Sequence, residues 1–267
     1  MIYRSFFLVL VAVSQSAAAP AATLSKPMKK PTFTVNTYVQ KETKKERAIS
    51  TTVAVKSGLI LALNSGFLNG CCLSGAAAHD GTKQAVAAVT GAYTTAAVGL
   101  ATGRNNVFAT QMKVLASYIG GSFIASLMNP TPKTFQLSKS VGPAFVLAAA
   151  LLFSSKSMFS GNKPLLGFCL AAIVNGMQNS ITSVHTANLC RTAHFSGCSS
   201  DIGTFLGQVV RGNKANQMKL QVFVGLTLSF FTGGYLSVLA ANKLAESSLL
   251  LSAVFYLIIG LGLMLQG

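Results

Sequence analysis

From residue 50 onward the chain is a succession of apolar runs separated by short polar breaks. Eight runs are legible, at roughly 52–74, 84–102, 108–128, 139–155, 164–184, 195–211, 218–241 and 247–266. The breaks carry turn chemistry: Gly103-Arg104-Asn105-Asn106, Asn129-Pro130, Gly161-Asn162-Lys163-Pro164 and Gly212-Asn213. Each run is close to the length that crosses a bilayer as a helix, about 20 residues. Helix is the expected conformation, because an isolated strand leaves its backbone unsatisfied in lipid. The ten-residue alternation of a membrane barrel does not appear. Runs one, three, seven and eight are strongly apolar. Run four is short, and runs two and six are interrupted by Gly, Ser and Thr. The predicted fold is all-α, a polytopic helical membrane protein with about 6–8 transmembrane helices in two repeated halves.

The repeat shows in matched landmarks. Val89-Thr90-Gly91-Ala92-Tyr93-Thr94-Thr95 in run two corresponds to Phe195-Ser196-Gly197-Cys198-Ser199-Ser200-Asp201 in run six. Gln111-Met112-Lys113 corresponds to Gln217-Met218-Lys219, and both pairs stand 106 residues apart. Gly66-Phe67-Leu68-Asn69 maps onto Gly176-Met177-Gln178-Asn179 at an offset of 110, the difference falling around His79-Asp80-Gly81. Gly120-Gly121 has a counterpart in Gly233-Gly234. The halves are about 50–155 and 164–266. If all eight runs cross, the repeat is parallel; if runs two and six only dip in, it is inverted. Positive charge on cytoplasmic loops sets orientation. Eight crossings put Lys56, Arg104, Lys113, Lys156, Lys163, Arg211, Lys214 and Lys219 on the side of the basic N-terminal stretch, against Lys83, Lys133, Lys139, Arg191 and Lys243. That asymmetry favours eight crossings with both ends on the basic side.

Composition supports the class. Hydrophobic residues make up 51% and charged residues 10% of the 267, where a soluble domain carries about 25% charged. The net charge of +16 would fit a nucleic-acid binder, but its distribution does not. Eight of the 21 Lys and Arg precede residue 50 and the rest lie singly between apolar runs, with no aromatic-basic platform. No nucleic-acid partner is expected. The implied partners are the lipid bilayer and a small solute or ion, and a homo-oligomer is compatible with the sequence. Five cysteines without regular spacing give no disulfide framework. Cys190, His194 and Cys198 share a helix side, but four-residue steps spread them over about 12 Å, too far for one ion. No metal or cofactor is expected. Phosphate-loop, nucleophile-elbow and zinc-protease motifs are missing, so the chain does not read as an enzyme.

The N-terminus reads as targeting. Arg4, the apolar core Phe6–Val13 and Ser14-Gln15-Ser16-Ala17-Ala18 have the shape of a signal peptide over residues 1–18. Residues 19–49 form a basic, hydroxyl-rich stretch without the large apolar residues of a core. A signal followed by such a stretch is similar to the bipartite leaders of secondary plastids. The expected location is a membrane of the secretory pathway or of a plastid-type organelle, with the membrane domain at 50–267.

Gly176-Met177-Gln178-Asn179-Ser180, then Arg191-Thr192, then Ser196-Gly197 with Asp201-Ile202-Gly203 resembles the second-half signature of the YoaK-like family. Gly66-Phe67-Leu68-Asn69-Gly70 and Thr90-Gly91 resemble its first-half signature. The resemblance covers about residues 55–240. Ala92, Ser196 and Asn69 depart from the family pattern. The family consists of multi-pass membrane proteins of unknown function, so the resemblance implies an architecture and no reaction.

Candidate chemistry follows from the polar residues inside apolar runs. Gly197, Asp201, Thr204 and Gln208 lie on one helix face, matched by Gly91, Thr95, Val98 and Thr102. Asn175, Asn179, Thr182 and Thr186 form a similar stripe on run five. A carboxylate within the membrane normally faces a partner or a wet cavity. Asp201 therefore reads either as an ion-coupling residue or as a structural pair with His194 or Arg191. The expected solute or ion pathway comprises Asp201, Asn175, Gln178, Asn179, Thr204, Gln208, Asn69, Thr90 and Thr95, with runs two and six meeting near Asn175 and Asn179. Gly91, Gly197, Gly120, Gly121, Gly233 and Gly234 read as helix-packing glycines. Duplicated, broken polar spans point to a channel or secondary transporter. The alternative is a non-transporting membrane scaffold or assembly factor.

Overall fold

The computed structural model describes residues 47–138 and 140–265. The leader expected over 1–18 and the basic stretch up to residue 46 lie outside the described residues. Eight α-helices follow in order: α1 (Thr51–Leu73), α2 (Val89–Ala101), α3 (Asn105–Met128), α4 (Val141–Ser160), α5 (Pro164–His185), α6 (Phe195–Val210), α7 (Gln217–Leu244) and α8 (Leu249–Leu265). A 3-10 turn, Ala245–Ser248, joins the last two. The residues Arg47–Ala48 and Gln136–Leu137 pair as a two-residue antiparallel ladder. The eight helices coincide with the eight apolar runs. Four of them, α1, α4, α5 and α7, are both long and apolar enough to cross a membrane. The protein is a polytopic helical membrane protein.

Local sequence sets the boundaries. Ser50 caps α1, its hydroxyl accepting from Val53 N–H at 3.2 Å. Pro164 occupies the first turn of α5, where its missing N–H costs nothing. Gly103 and Gly212 hold positive φ, 71° and 89°, and close the tight turns between α2 and α3 and between α6 and α7.

Helix directions follow from who touches whom. Ser65 Oγ donates to Asn175 Oδ1 at 2.7 Å, and Gln178 Nε2 donates to Leu61 O at 3.0 Å. Moving forward along α5 therefore moves backward along α1, so the two are antiparallel. Leu59 lies against Gly225, Gly66 against Phe230 and Gly70 against Ser237, so α1 and α7 are parallel. Gly121 lies against Ile173, and Asn129 Nδ2 is 3.1 Å from His185 Nε2, so α3 and α5 are parallel. Gly142 meets Met264 while Val146 meets Gly260, so α4 and α8 are antiparallel.

These relations fix the topology. Since α1 and α3 run in opposite directions, α1 ends and α3 begins on the same side, which we call the far side. The near side holds the short ladder. Helix α2 starts beside Asn69, one turn before the end of α1, because Asn69 Oδ1 accepts from the N–H groups of Val86 and Ala87, each at 2.9 Å. It then runs to the turn at Gly103 and cannot cross. Its 13 residues reach about 20 Å, short of the roughly 30 Å hydrocarbon thickness. Helix α6, with 16 residues, repeats this on the near side, starting beside Asn179, whose Oδ1 accepts from Ala193 N–H at 3.1 Å. Two short helices, α2 and α6, thus lie beside the longer ones, of which α1, α4, α5 and α7 are long and apolar enough to cross.

This corrects the expectation of eight crossings. The charge argument fails because the helix directions place Arg104, Lys113, Lys156 and Lys163 on the far side, away from Lys56, Arg211, Lys214 and Lys219. Lys133 and Arg191 move to the near side in exchange, so loop charge is redistributed and does not choose between the two topologies. Nor do the weak segments meet: α2 packs on α3 and α6 on α7, in opposite halves of the membrane depth.

Two crossings of one type organise the bundle. A Cβ on Gly66 would strike the carbonyl of Phe230, and one on Gly233 would strike that of Leu63. A Cβ on Gly176 would strike the carbonyl of Tyr118, and one on Gly121 that of Ile173. Leu63 and Gly66 stand 110 residues before Ile173 and Gly176; Tyr118 and Gly121 stand 112 before Phe230 and Gly233. The counterpart of Gly121 is therefore Gly233. Gly120 and Gly91, expected to pack helices, have open space where a Cβ would go. Gly234 lies against α1, since a Cβ at Gly70 would meet Gly234 Cα at 3.0 Å, and Gly197 abuts His194, the residue before its own helix. Replacing Gly121 or Gly233 with Ala should cost about 1–3 kcal/mol, the usual cost of overpacking, because backbone must move. Gly120→Ala should leave stability unchanged or slightly raised. Thermal unfolding in detergent checks both; an equal loss in all three variants would contradict the crossing geometry.

Candidate functional site

Half-way along the central helices lies a cluster of buried polar side chains. Ser65 on α1 and Asn175 on α5 are both fully buried, and the 2.7 Å bond between them joins positions 110 apart. One turn further, Gln178 exhausts most of its hydrogen-bonding capacity. Its Nε2 donates to Leu61 O at 3.0 Å and to Thr192 Oγ1 at 2.9 Å, and its Oε1 accepts from Tyr256 O–H at 2.6 Å. Thr182 Oγ1 lies 3.3 Å from Thr192 Oγ1. Ser252 Oγ donates to Asn64 Oδ1 at 2.8 Å. Such pairing is expected, since an unpaired polar group in hydrocarbon costs several kcal/mol. Among the described residues, two buried side-chain atoms lack a partner: Asn64 Nδ2 and His185 Nδ1.

Against this cluster, on its near side, opens a cavity of about 320 Å³ between α1, α4, α5 and α8. Leu61 and Thr182 form its inner end; Val53, Phe145, Ile181 and Leu263 line its sides. His185 and Thr186 stand at its wall. The far side of the same four helices is filled. Leu68, Cys72, Leu152, Phe159, Phe168 and Leu249 are all buried there, and Phe159 packs edge-on to Phe168 with ring centroids 5.0 Å apart. A groove of about 590 Å³ outside the α1–α7 crossing is lined by Phe231, Tyr235 and Val238, which are exposed and face lipid.

The expected pathway residues separate into three groups. Asn175 and Gln178 belong to the buried cluster. Asn69 and Asn179 also lie at the crossing helices, but each has its side-chain oxygen committed to the loop that precedes a half-depth helix. Ala87 and Ala193, the donors, stand 106 residues apart, so both halves use the same device. The remaining residues lie away from the cluster. Thr90 and Thr95 are exposed on α2, and Thr204 is exposed on α6. Gln208 accepts from Asn216 Nδ2 at 3.0 Å and braces the α6–α7 turn. Asp201, half-buried, sits about 9 Å along α6 from its start, further from half-depth than Asn179. Among the described residues it makes no hydrogen bond or ion pair, so neither His194 nor Arg191 pairs with it. It does not adjoin Asn175 as expected, because α6 leads outward from Asn179. The far-side loop acid, Asp80, is exposed; hydrogen bonding from Thr82, whose N–H lies 2.9 Å from Oδ1, holds its carboxyl below the usual value.

Sequence reasoning missed Asn64, Ser65, Ser252, Tyr256 and His185. Asn64-Ser65 is a polar pair inside a strong apolar run. Ser252 and Tyr256 share a face of the last helix at i, i+4. Both signals are present in the sequence, as polar residues inside strongly apolar runs.

This arrangement of eight helices, four of them long and apolar enough to cross a membrane, can be set beside known proteins. A family described as Protein of unknown function (DUF1275) matches residues 57–262. The chain belongs to this family. The match takes in all eight helices except the ends of the first and last, and the resemblance to the YoaK-like family is consistent with it. No curated protein and no solved structure matches the chain.

The bonding pattern ranks the side chains. Gln178→Leu strands the Tyr256 and Thr192 hydroxyls in a buried site and should cost about 1–3 kcal/mol. Asp201→Asn removes no contact and should stay within about 0.5 kcal/mol of the parent. Unfolding of the two variants in the same detergent compares them; a larger loss from Asp201→Asn would mean that its carboxylate has a partner after all.

Proposed function

We propose that the protein is a secondary transporter for a small solute, built from an inverted internal repeat and exposing its binding cavity to one side at a time. One observation carries the reading: the four central helices enclose a cavity on the near side, while the matching far-side space is packed. Inverted-repeat transporters bind substrate near half-depth at the repeat interface and exchange access by rocking one part against the other. The polar cluster around Ser65, Asn175 and Gln178 lies at that depth and closes the inner end of the cavity. The crossings Gly66–Phe230 and Gly176–Tyr118, and the loop clamps by Asn69 and Asn179, support the duplication. A channel would need a continuous path, and the packing around Phe159 and Phe168 interrupts it. A scaffold that merely docks other proteins has no use for a cavity ending on buried polar groups. In this reading Asp201, on a helix that lines no part of the cavity, is not at the substrate site.

The proposal predicts a second state. Cys72 stands 110 residues before Thr182, so it occupies on the far side the position that Thr182 occupies at the near-side cavity. In a variant carrying Cys72 alone among the cysteines, an impermeant thiol reagent applied from the far side of proteoliposomes should label it slowly but to completion. Ser57→Cys, on the near wall, should be labelled quickly from the near side. Flux assays with a solute and proton panel should then find at least one transported species. Permanent protection of Cys72 together with zero flux would leave the scaffold reading in its place.

A further inference from the structure

On the far side, the outer surface of the α1–α7 crossing carries two cavities that adjoin, both lined by Ser74 and Val238. The inner one, the groove of about 590 Å³, begins beside Gly66 at half-depth and has Phe231 and Tyr235 in its wall. The outer one, about 460 Å³, lies between the α1–α2 loop and the end of α7. His79 and Asn242 supply its polar side chains, and Gly75, Ala241 and Ala245 keep it open. Ser74 stands eight residues beyond Gly66, about 12 Å along the helix. Ala245 stands twelve beyond Gly233, about 18 Å. The hydrocarbon reaches about 15 Å from half-depth. The inner cavity therefore lies in hydrocarbon and the outer one at the membrane surface.

The matching place in the other half is closed. His185 stands 110 residues after Gly75, and Val184 stands 110 after Ser74. Ser126 and Asn129 stand 112 residues before Val238 and Ala241. There the His185 ring and the Asn129 amide are in contact at 3.1 Å, Pro132 joins them, and a space of about 20 Å³ remains. Gly75 and Ala241 put almost no side chain in the place of that pair, so the far side keeps the space that the near side fills.

An apolar groove at hydrocarbon depth that runs into a polar hollow at the surface repeats the order of chemistry in a membrane lipid. The rim carries uncommitted donors. Lys83 is exposed, and its Cγ lies 3.3 Å from where a Cβ on Gly75 would stand, so its stem runs against the loop that walls the outer cavity. Among the described residues neither Lys83 nor Asn242 makes a hydrogen bond or ion pair. Asp80, on the same loop, accepts from Thr82 N–H at 2.9 Å and does not neutralise Lys83.

We propose that these adjoining cavities seat one glycerophospholipid of the far leaflet, with an acyl chain in the groove between α1 and α7 and its phosphate at the rim beside Lys83 and Asn242. The seat lies outside the four helices that enclose the near-side cavity, so it does not depend on the transporter reading.

The sequence contains no tryptophan, which allows a single reporter. Tyr235→Trp places it in the groove, and Phe123→Trp places it at the matching position of the other crossing, 112 residues earlier. The two native side chains are equally exposed, at 61% and 62%. The full chain carrying either reporter is reconstituted into dioleoylphosphatidylcholine liposomes with a minor fraction of chain-brominated lipid. That lipid is phosphatidylcholine in one set and diacylglycerol, with the same chains and no phosphate, in the other. At Tyr235→Trp the phospholipid should quench as though bound about five-fold more tightly than the diacylglycerol, the advantage of one hydrogen bond. At Phe123→Trp the two lipids should quench alike. Adding Lys83→Ala should remove most of the preference at Tyr235→Trp. Glycerophosphocholine in the buffer should not relieve the quenching, because it has no chain to fill the groove. Equal quenching by both lipids at Tyr235→Trp, the same preference at both reporters, a preference that survives Lys83→Ala, or relief by glycerophosphocholine would each overturn the proposal. Shielding of Tyr235→Trp from both brominated lipids would overturn it in favour of a second copy of the chain on the groove.

Discussion

The bundle depends on backbone meeting backbone at two glycine crossings. At Gly66 and Gly233, and again at Gly176 and Gly121, a helix surface comes so near that no Cβ fits against the opposing carbonyl. In lipid there is no hydrophobic force between helices, so close packing and polar contact must supply the association. These crossings do more than join pairs. They tie a helix of one half to a helix of the other, α1 to α7 and α5 to α3, so neither half closes on itself. The remaining helices, α4 and α8, complete the centre through a further glycine approach at Gly142 and Gly260. The half-depth helices are left on the outside, each laid against one partner.

Polar residues then specify where the halves register. The Ser65–Asn175 bond joins matched positions and so lies at the point about which the halves are related. Away from that point the halves diverge in chemistry. Gln178 and Thr192 stand where the first half has Leu68 and Val86, and all four are buried. A hydrogen-bonded pair on one side thus replaces an apolar pair on the other. The Gln178 side chain also recruits Tyr256 from α8 and the backbone of Leu61, so a connected polar cluster sits on the near side of the centre, whereas the far-side polar groups Ser155 and Ser237 are each bonded to a backbone carbonyl. The cavity opens on the polar side.

Much of this was legible in the sequence, and the failures have physical causes. Helix number and boundaries followed from apolar runs and turn residues. The matched landmarks Gly66 and Gly176 did mark the crossings, and Asn175 and Gln178 did lie in the buried cluster. The direction of the helices was not legible, because it depends on which helices pair, and pairing depends on carbonyl-to-glycine fits that leave no trace in composition. That gap produced the wrong sidedness for Arg104, Lys113, Lys156 and Lys163. Asp201 attracted attention as an acid in an apolar run, yet a helix of 16 residues that begins at half-depth carries its second turn outward. The rule that a membrane carboxylate faces a partner presumes a spanning helix. His185 was invisible for the opposite reason: it closes an ordinary apolar helix, and its contact with Asn129 depends on the pairing of α3 with α5.

The difference between the two ends of the centre is partly written into the chain. Gly58 borders the near-side cavity, and its counterpart 110 residues later is Phe168, which is buried against Phe159. A Cβ at Gly58 would meet Cys190 Sγ at 2.7 Å, so the space beside this glycine is already filled, while the Phe168 ring packs the far side of the centre. In the alternating-access reading the far side opens only when Phe168 leaves its place, exposing apolar area worth roughly 2 kcal/mol for one such ring. A ligand drives that step only through differential affinity for the two states. Closure of the near side around an apolar chain would bury comparable area and offset the exposure of Phe168. An ion bound at an exposed mouth would not. The packing of the far side thus favours a ligand that is itself largely apolar.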